Sequence, residues 1–257
     1  MMRTACLVLA SAAGVAAQID PKAQAAAMLA KMTIEEKVTM LHGGTAPGQA
    51  RYVGNTPTIA RLKIPALNLN DGPQGFRSGK TTCWPSGLTV ATTWDMEAMG
   101  SWGEAMGGEF FGKGANVQLG PGVCVARVPN CGRNFEYLSG EDPYLGYELV
   151  QPVIKGIQSK GVIANAKHWV NNNQETDRSG GNEVVDERTR WEIYYPPFLG
   201  AVKAEVGSIM CSYNRINGNY SCGNNETLNT DFKTRAGFEG WVMSDWGATH
   251  SMSINEG

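Results

Sequence analysis

The sequence predicts an α/β fold with parallel strands, a (β/α)8 barrel in preference to an open doubly wound sheet. Short apolar, strand-like runs alternate with longer stretches of helical periodicity, and parallel strands require such crossovers. Gly accounts for 32 of the 257 residues, a supply of tight turns between strands and helices. Polar side chains gather where the apolar runs stop, near residues 71, 168, 213 and 245. Barrel active sites are built there, at the C-terminal ends of the strands. No GxGxxG follows an early strand and no GxxxxGK[ST] occurs, so neither a dinucleotide fold nor a phosphate loop has support.

The elements follow in order. Asp20 before Pro21 is an N-cap with proline in the first turn, and Ala25, Met28, Leu29 and Met32 follow at helical spacing. Thr33 and Glu36 have the spacing of a capping box, with Ile34, Val38 and Leu41 as the apolar stripe and Gly43 as the stop. Residues 64–70 form a buried strand, ended by Asp71-Gly72-Pro73. Met96, Met99, Trp102, Met106 and Phe110 share a helical face before a strand at 117–119. Asp142-Pro143 opens a helix carrying Leu149, Val150, Val153, Ile154 and Ile157, and Gly161 closes it. Strands are predicted at 162–168, 208–213 and 241–245. Between them lie a helix over 191–206, broken at Pro196-Pro197, and one over 226–236 capped by Asn225.

Composition bounds the function. Lys and Arg total 22 against 24 Asp and Glu, a net charge of −2, which offers no basic surface for nucleic acid. Apolar residues are 42% and charged residues 18%, enough to build a core and too little charge for a disordered chain. Residues 1–17 form a secretory signal: Arg3, an apolar stretch over 5–15, and Val15-Ala16-Ala17 before Gln18. That stretch is short of the ~20 residues that span a bilayer. The expected organisation is a signal at 1–17 and one domain at 18–257, secreted and not held at a membrane. Cys6 leaves with the signal, and local pairing would join Cys124 to Cys131 and Cys211 to Cys222, leaving Cys83 free or paired outside the chain. No spacing suits a zinc site. Sequons begin at Asn219 and Asn225.

Asp71, Lys167, His168, Tyr213 and Asp245 stand at the predicted strand ends, so a barrel would turn them into one cavity. Asp245 is the best candidate acid, because a carboxylate between apolar strand residues and Trp246 is costly unless it is used or paired. Arg133 and Lys167 can donate to hydroxyls, Asp71 can accept them, and Trp246 can stack on an apolar ring face, which suits a sugar.

Five sequence blocks, in order, resemble family 3 glycoside hydrolases, the β-glucosidase branch. They are DGPQGFR at 71–77, GRNFE with GEDPYL at 132–145, KHWVNNNQETDR at 167–178, MCSYN at 210–214 and VMSDW at 242–246. The resemblance implies a retaining β-glycosidase that needs no metal or organic cofactor and acts on a β-glucoside or oligosaccharide. Carried over residue by residue, Asp245 is the nucleophile. Asp71, Arg77, Arg133, Lys167, His168 and Tyr213 hold the sugar, with Met210 and Trp246 lining its subsite. Hexosaminidases of the family usually carry KHFPG where this chain has KHWVN at 167–171, which favours the glucosidase branch. Xylosidase-like relatives remain an alternative.

A retaining glycosidase needs two carboxyl groups about 5–5.5 Å apart. The positive charge of Lys167 and Arg133 is expected beside Asp245. In the family the acid/base glutamate comes from a second α/β domain. Here Glu136, Glu141, Glu175 and Glu256 offer the chemistry without matching that motif. The expectation is therefore a barrel incomplete at its C-terminus, a fragment that is inactive by itself. Two other readings compete: a Schiff-base enzyme using Lys167, and a sugar-binding barrel without catalysis.

Overall fold

The computed structural model describes residues 20–43 and 52–250; the predicted signal segment and Glu256 lie outside them. In chain order the elements are α1 (Pro21–Lys31), α2 (Ile34–Leu41), β1 (Gly54–Asn55), β2 (Asn68–Asp71), α3 (Gly87–Ala91), α4 (Met96–Gly112) and β3 (Val117–Leu119). Then come α5 (Pro143–Ser159), β4 (Ile163–Trp169), β5 (Asn182–Glu183), α6 (Glu187–Thr189), α7 (Pro196–Lys203), β6 (Ser208–Cys211), β7 (Arg215–Ile216), β8 (Asn219–Tyr220) and β9 (Trp241–Ser244).

The main sheet runs β1-β2-β3-β4-β6-β9. From β2 to β9 every pairing is parallel, as predicted, whereas β1 pairs antiparallel with β2. The sheet curls into an incomplete (β/α) barrel. A Cβ built on Gly54, in β1, would sit 3.3 Å from the Trp246 ring just past β9, so the two ends of the sheet approach each other. Among the described residues β1 and β9 do not pair. Strands β5, β7 and β8 form a small separate sheet.

Alternation along the strands sorts two interiors. Leu69, Val117, Leu119 and Met210 pack together inside the curl. Ala164, Ala166 and Ile209 face outward into the main core with Met99, Met106, Phe110, Leu149, Val153, Ile157 and Phe198. The helix faces predicted over 99–110 and 149–157 are buried there, while Met96 in the first turn of α4 is exposed. Helices α4 and α5 touch through glycine. A Cβ on Gly107 would lie 2.8 Å from the Ile157 carbonyl, and one on Gly156 would lie 2.7 Å from the Glu104 amide. Trp169 anchors an aromatic cluster beneath the mouth, with ring centroids 4.1 Å from Phe232 and 4.7 Å from Tyr195.

Several expectations need correction. The capping box of α2 is present, with Thr33 and Glu36 exchanging bonds of 2.9 and 3.2 Å. No residue of α1 or α2 is fully buried, however: Met28 and Met32 are half-buried, and Leu29, Ile34, Val38 and Leu41 are exposed. Spacing specifies a helix, but burial depends on a partner. Cys211 and Cys222 form the expected disulfide, whereas Cys124 and Cys131 are free and buried. Cys124 instead bonds the backbone of His168, which gives the thiol a role that spacing did not reveal. The segment predicted as a helix over 226–236 is a π-helix at Glu226–Arg235, and Asn224 rather than Asn225 accepts the Thr227 amide at its start, at 3.1 Å.

Candidate active site

The cavity at the C-terminal ends of the parallel strands has a volume of about 300 Å³. Asp71 ends β2, and Lys167 and His168 lie near the end of β4. Met210 belongs to β6, Tyr213 follows it by two residues, and Asp245 and Trp246 follow β9 directly. Arg77 and Arg133 come from the loops after β2 and β3. All nine predicted side chains line this one cavity. Two lining residues were missed, Val53 and Arg178. Arg178 closes the KHWVNNNQETDR block, so its signal was present but unassigned. Val53 carries no chemical signal and enters through the antiparallel β1 edge.

The strand geometry explains why two consecutive residues, Lys167 and His168, reach the cavity. On a regular strand they would point to opposite faces. The β4–β6 register shifts between Lys167 and Trp169, and a bulge of that kind re-aims side chains. Ile163, Asn165 and Lys167 keep the inward alternation, while Trp169 turns to the helical layer.

Asp245 is the most heavily bonded carboxylate of the cavity. Its Oδ1 accepts from Tyr213 Oη at 2.9 Å and from the Trp246 amide at 2.7 Å, and its Oδ2 lies 3.5 Å from His168 Nε2. Lys167 and Arg133 share the cavity with Asp245, as expected, and the Asp245 charge acts on Lys167, but neither supplies these contacts. Lys167 Nζ lies 3.5 Å from Asp71, and Arg133 pairs with Glu136 and, at 3.6 Å, with Glu175. Arg178 holds Glu175 at 2.9 Å and places its guanidinium 4.5 Å from the Tyr213 ring centre.

Burial sets the protonation states. It pushes the His168 imidazole well below its usual range, with Lys167, Arg133 and Arg178 adding to the effect, so the ring is neutral. It pushes the Tyr213 hydroxyl up to about 12, helped by the charge and the hydrogen bond of Asp245, so the hydroxyl remains a donor. Burial lowers Lys167, opposed chiefly by Asp71. Of the glutamates considered as acid/base, Glu136 is buried against Arg133 and Glu175 is clasped by Arg133 and Arg178. Glu141 is exposed. None of the three lines the cavity, whose carboxyls are Asp71 and Asp245.

A curled parallel sheet with a buried carboxylate, two donors bonded to it and several cations around its mouth makes a polar, barrel-type pocket for a small molecule. Residues 19–257 match the model of the glycosyl hydrolase family 3 N terminal domain, and the chain belongs to that family. It is 45% identical over 239 residues to a probable beta-glucosidase A of Aspergillus terreus, covering 87% of this chain and 28% of that protein. Beta-glucosidase 1 of Aspergillus aculeatus is 44% identical over 243 residues, 89% of this chain and 28% of the relative. Among solved structures, the beta-glucosidase DesR of Streptomyces venezuelae, in complex with D-glucose, superposes with a TM-score of 0.85. It is 42% identical over 88% of this chain and 29% of its own. The Trichoderma reesei beta-D-glucoside glucohydrolase gives a TM-score of 0.84 at 40% identity, over 88% of this chain and 32% of its own. The chain spans less than a third of the length of these relatives.

Proposed function

We propose that this chain supplies the sugar-binding half of a retaining β-glucosidase active site, with Asp245 as nucleophile. The observation that carries the reading is the bonding of Asp245. Two donors fix Oδ1, and Oδ2 is left facing the cavity beside a neutral imidazole. A carboxylate oriented in this way can attack an anomeric carbon and form a glycosyl ester, which water then hydrolyses. Asp71 and Lys167 form a paired acceptor and donor for sugar hydroxyls, with Arg77 and Arg133 as further donors and Met210 on the wall. Trp246, half exposed at the rim, offers a stacking face. The leaving oxygen needs a second carboxyl as acid. Asp71 is committed to Lys167, so the acid is assigned to a group outside the described residues. The reaction uses no metal or organic cofactor.

Cleavage is of terminal β-D-glucosyl residues from oligosaccharides. The test is a 2-fluoroglucoside trap on the full-length protein. An ester on Asp245, found by peptide mass, supports the assignment, and labelling at another residue overturns it.

We also propose that the protein is exported and glycosylated. The Cys211–Cys222 disulfide suits an oxidising compartment. Asn219 and Asn225 are exposed, and no described helix is long and apolar enough to cross a membrane.

A further inference from the structure

We infer that Tyr137, outside the cavity, is a positioning residue that holds His168 in the tautomer carrying its proton on Nε2, toward Asp245. Tyr137 follows the short 3-10 turn Asn134–Glu136 and is 1% exposed. Its Oη lies 3.0 Å from His168 Nδ1, and its ring stands edge-on to the imidazole, with centroids 5.9 Å apart.

The proton count follows from this geometry. A buried hydroxyl must place its hydrogen on an acceptor or lose the bond at a cost of about 1–3 kcal/mol. The described partner of Tyr137 Oη is His168 Nδ1. Burial holds the phenol well above its usual range, with the nearby Cys124 adding to the effect, so the hydroxyl keeps its hydrogen. The imidazole is neutral and has one ring proton to place. With Tyr137 donating into the Nδ1 lone pair, that proton sits on Nε2. Nε2 faces Asp245 Oδ2 at 3.5 Å, where an N–H is attractive and a lone pair would be repulsive. Both sides of the ring therefore select the same tautomer.

The backbone of the same histidine is held separately. His168 N donates to Cys124 Sγ at 3.3 Å, and Sγ donates to the His168 carbonyl at 3.4 Å. Burial pushes this thiol up to about 12, so it stays protonated. Tyr137 also lies under Arg133, whose guanidinium is 5.9 Å from the ring centre. One buried side chain thus backs two cavity residues. The consequence for catalysis rests on the Asp245 reading above, whereas the tautomer does not.

The test is nitrogen-15 NMR of these 257 residues labelled at their 3 histidines, with the His168 signals assigned by their loss in His168→Asn. Near neutral pH the wild type is expected to show a protonated Nε2 and an unprotonated, hydrogen-bonded Nδ1. Tyr137→Phe, which keeps the packing and removes the donor, is expected to admit a population protonated on Nδ1. A wild-type Nδ1–H tautomer overturns the proposal, and so does an unchanged pattern in a folded Tyr137→Phe. If that variant does not fold, the wild-type spectrum decides. Failure of the fluoroglucoside to label Asp245 alongside an Nε2–H tautomer would reject the glucosidase reading and leave the positioning role standing.

Discussion

The hydroxyl of Tyr213 donates to Asp245 Oδ1 at 2.9 Å. The two residues lie on different strand ends, after β6 and after β9, so the bond ties adjacent parallel strands at the cavity mouth. The Trp246 amide completes a pair of donors on the same oxygen, which fixes the carboxylate plane. The Arg178 guanidinium over the Tyr213 ring adds a cation–π contact to this support.

Tyr213→Phe in the full-length protein is expected to lower kcat/KM on an aryl β-glucoside by roughly 10- to 100-fold. That matches the ~1.5–3 kcal/mol of a hydrogen bond to a charged group. Steady-state kinetics measure it, and a parent-like value would remove Tyr213 from the orientation of Asp245.

His168 makes stability depend on pH. In the unfolded chain it takes up a proton near pH ~6.5, and in the folded chain only well below that value. The unfolded state therefore binds more protons as pH drops under ~6.5, and stability falls with it. Urea midpoints should decline from mildly alkaline to mildly acidic pH. The decline should be shallower in His168→Asn, and equal slopes would contradict a neutral buried ring.

The cysteines should separate cleanly in the chain beginning at Gln18. Cys83 is exposed and should react with iodoacetamide in the native protein, while Cys124 and Cys131 should react only after unfolding. Reducing Cys211–Cys222 should cost about 3 kcal/mol, the usual scale for a short loop. Peptide mapping and denaturant melts check both. Native labelling of Cys124 would show that the His168 backbone is not held as described.

Gly107→Ala should destabilise by about 1–3 kcal/mol, because the added methyl meets the Ile157 carbonyl at 2.8 Å. Gly108→Ala, one residue along the same helix with open space around it, serves as the control. It should be neutral or slightly stabilising, since alanine favours helix. Equal effects in a thermal melt would show that α4 and α5 are not in glycine-mediated contact.

Much of the site was legible because chemistry-bearing residues stood at the ends of apolar runs. Asp71, Lys167, His168, Tyr213 and Asp245 could be placed that way, and the motif blocks added Arg77, Arg133, Met210 and Trp246. Arg178 and Val53 were not found. Arg178 lies beyond β4 in an irregular loop, and Val53 precedes an edge strand whose antiparallel pairing breaks the alternation of parallel units. The pairing of Cys124 with Cys131 failed for a similar reason. Proximity in sequence says nothing of what else competes for a thiol, and here the backbone of His168 does.

By itself the sequence determined what depends on near neighbours. This includes the order of the parallel strands and of the longer helices between them, the caps at Asp20 and Thr33, the buried faces of α4 and α5, and the identities of the polar groups at the strand ends. These follow from periodicity and from hydrogen bonds a few residues long. Only the tertiary structure decided which donors reach Asp245, how a register shift turns Lys167 and His168 to the same side, and that Leu29, Ile34, Val38 and Leu41 of α1 and α2 stay exposed. Those outcomes depend on contacts between segments far apart in the chain. Burial and partner geometry there outweigh any local preference.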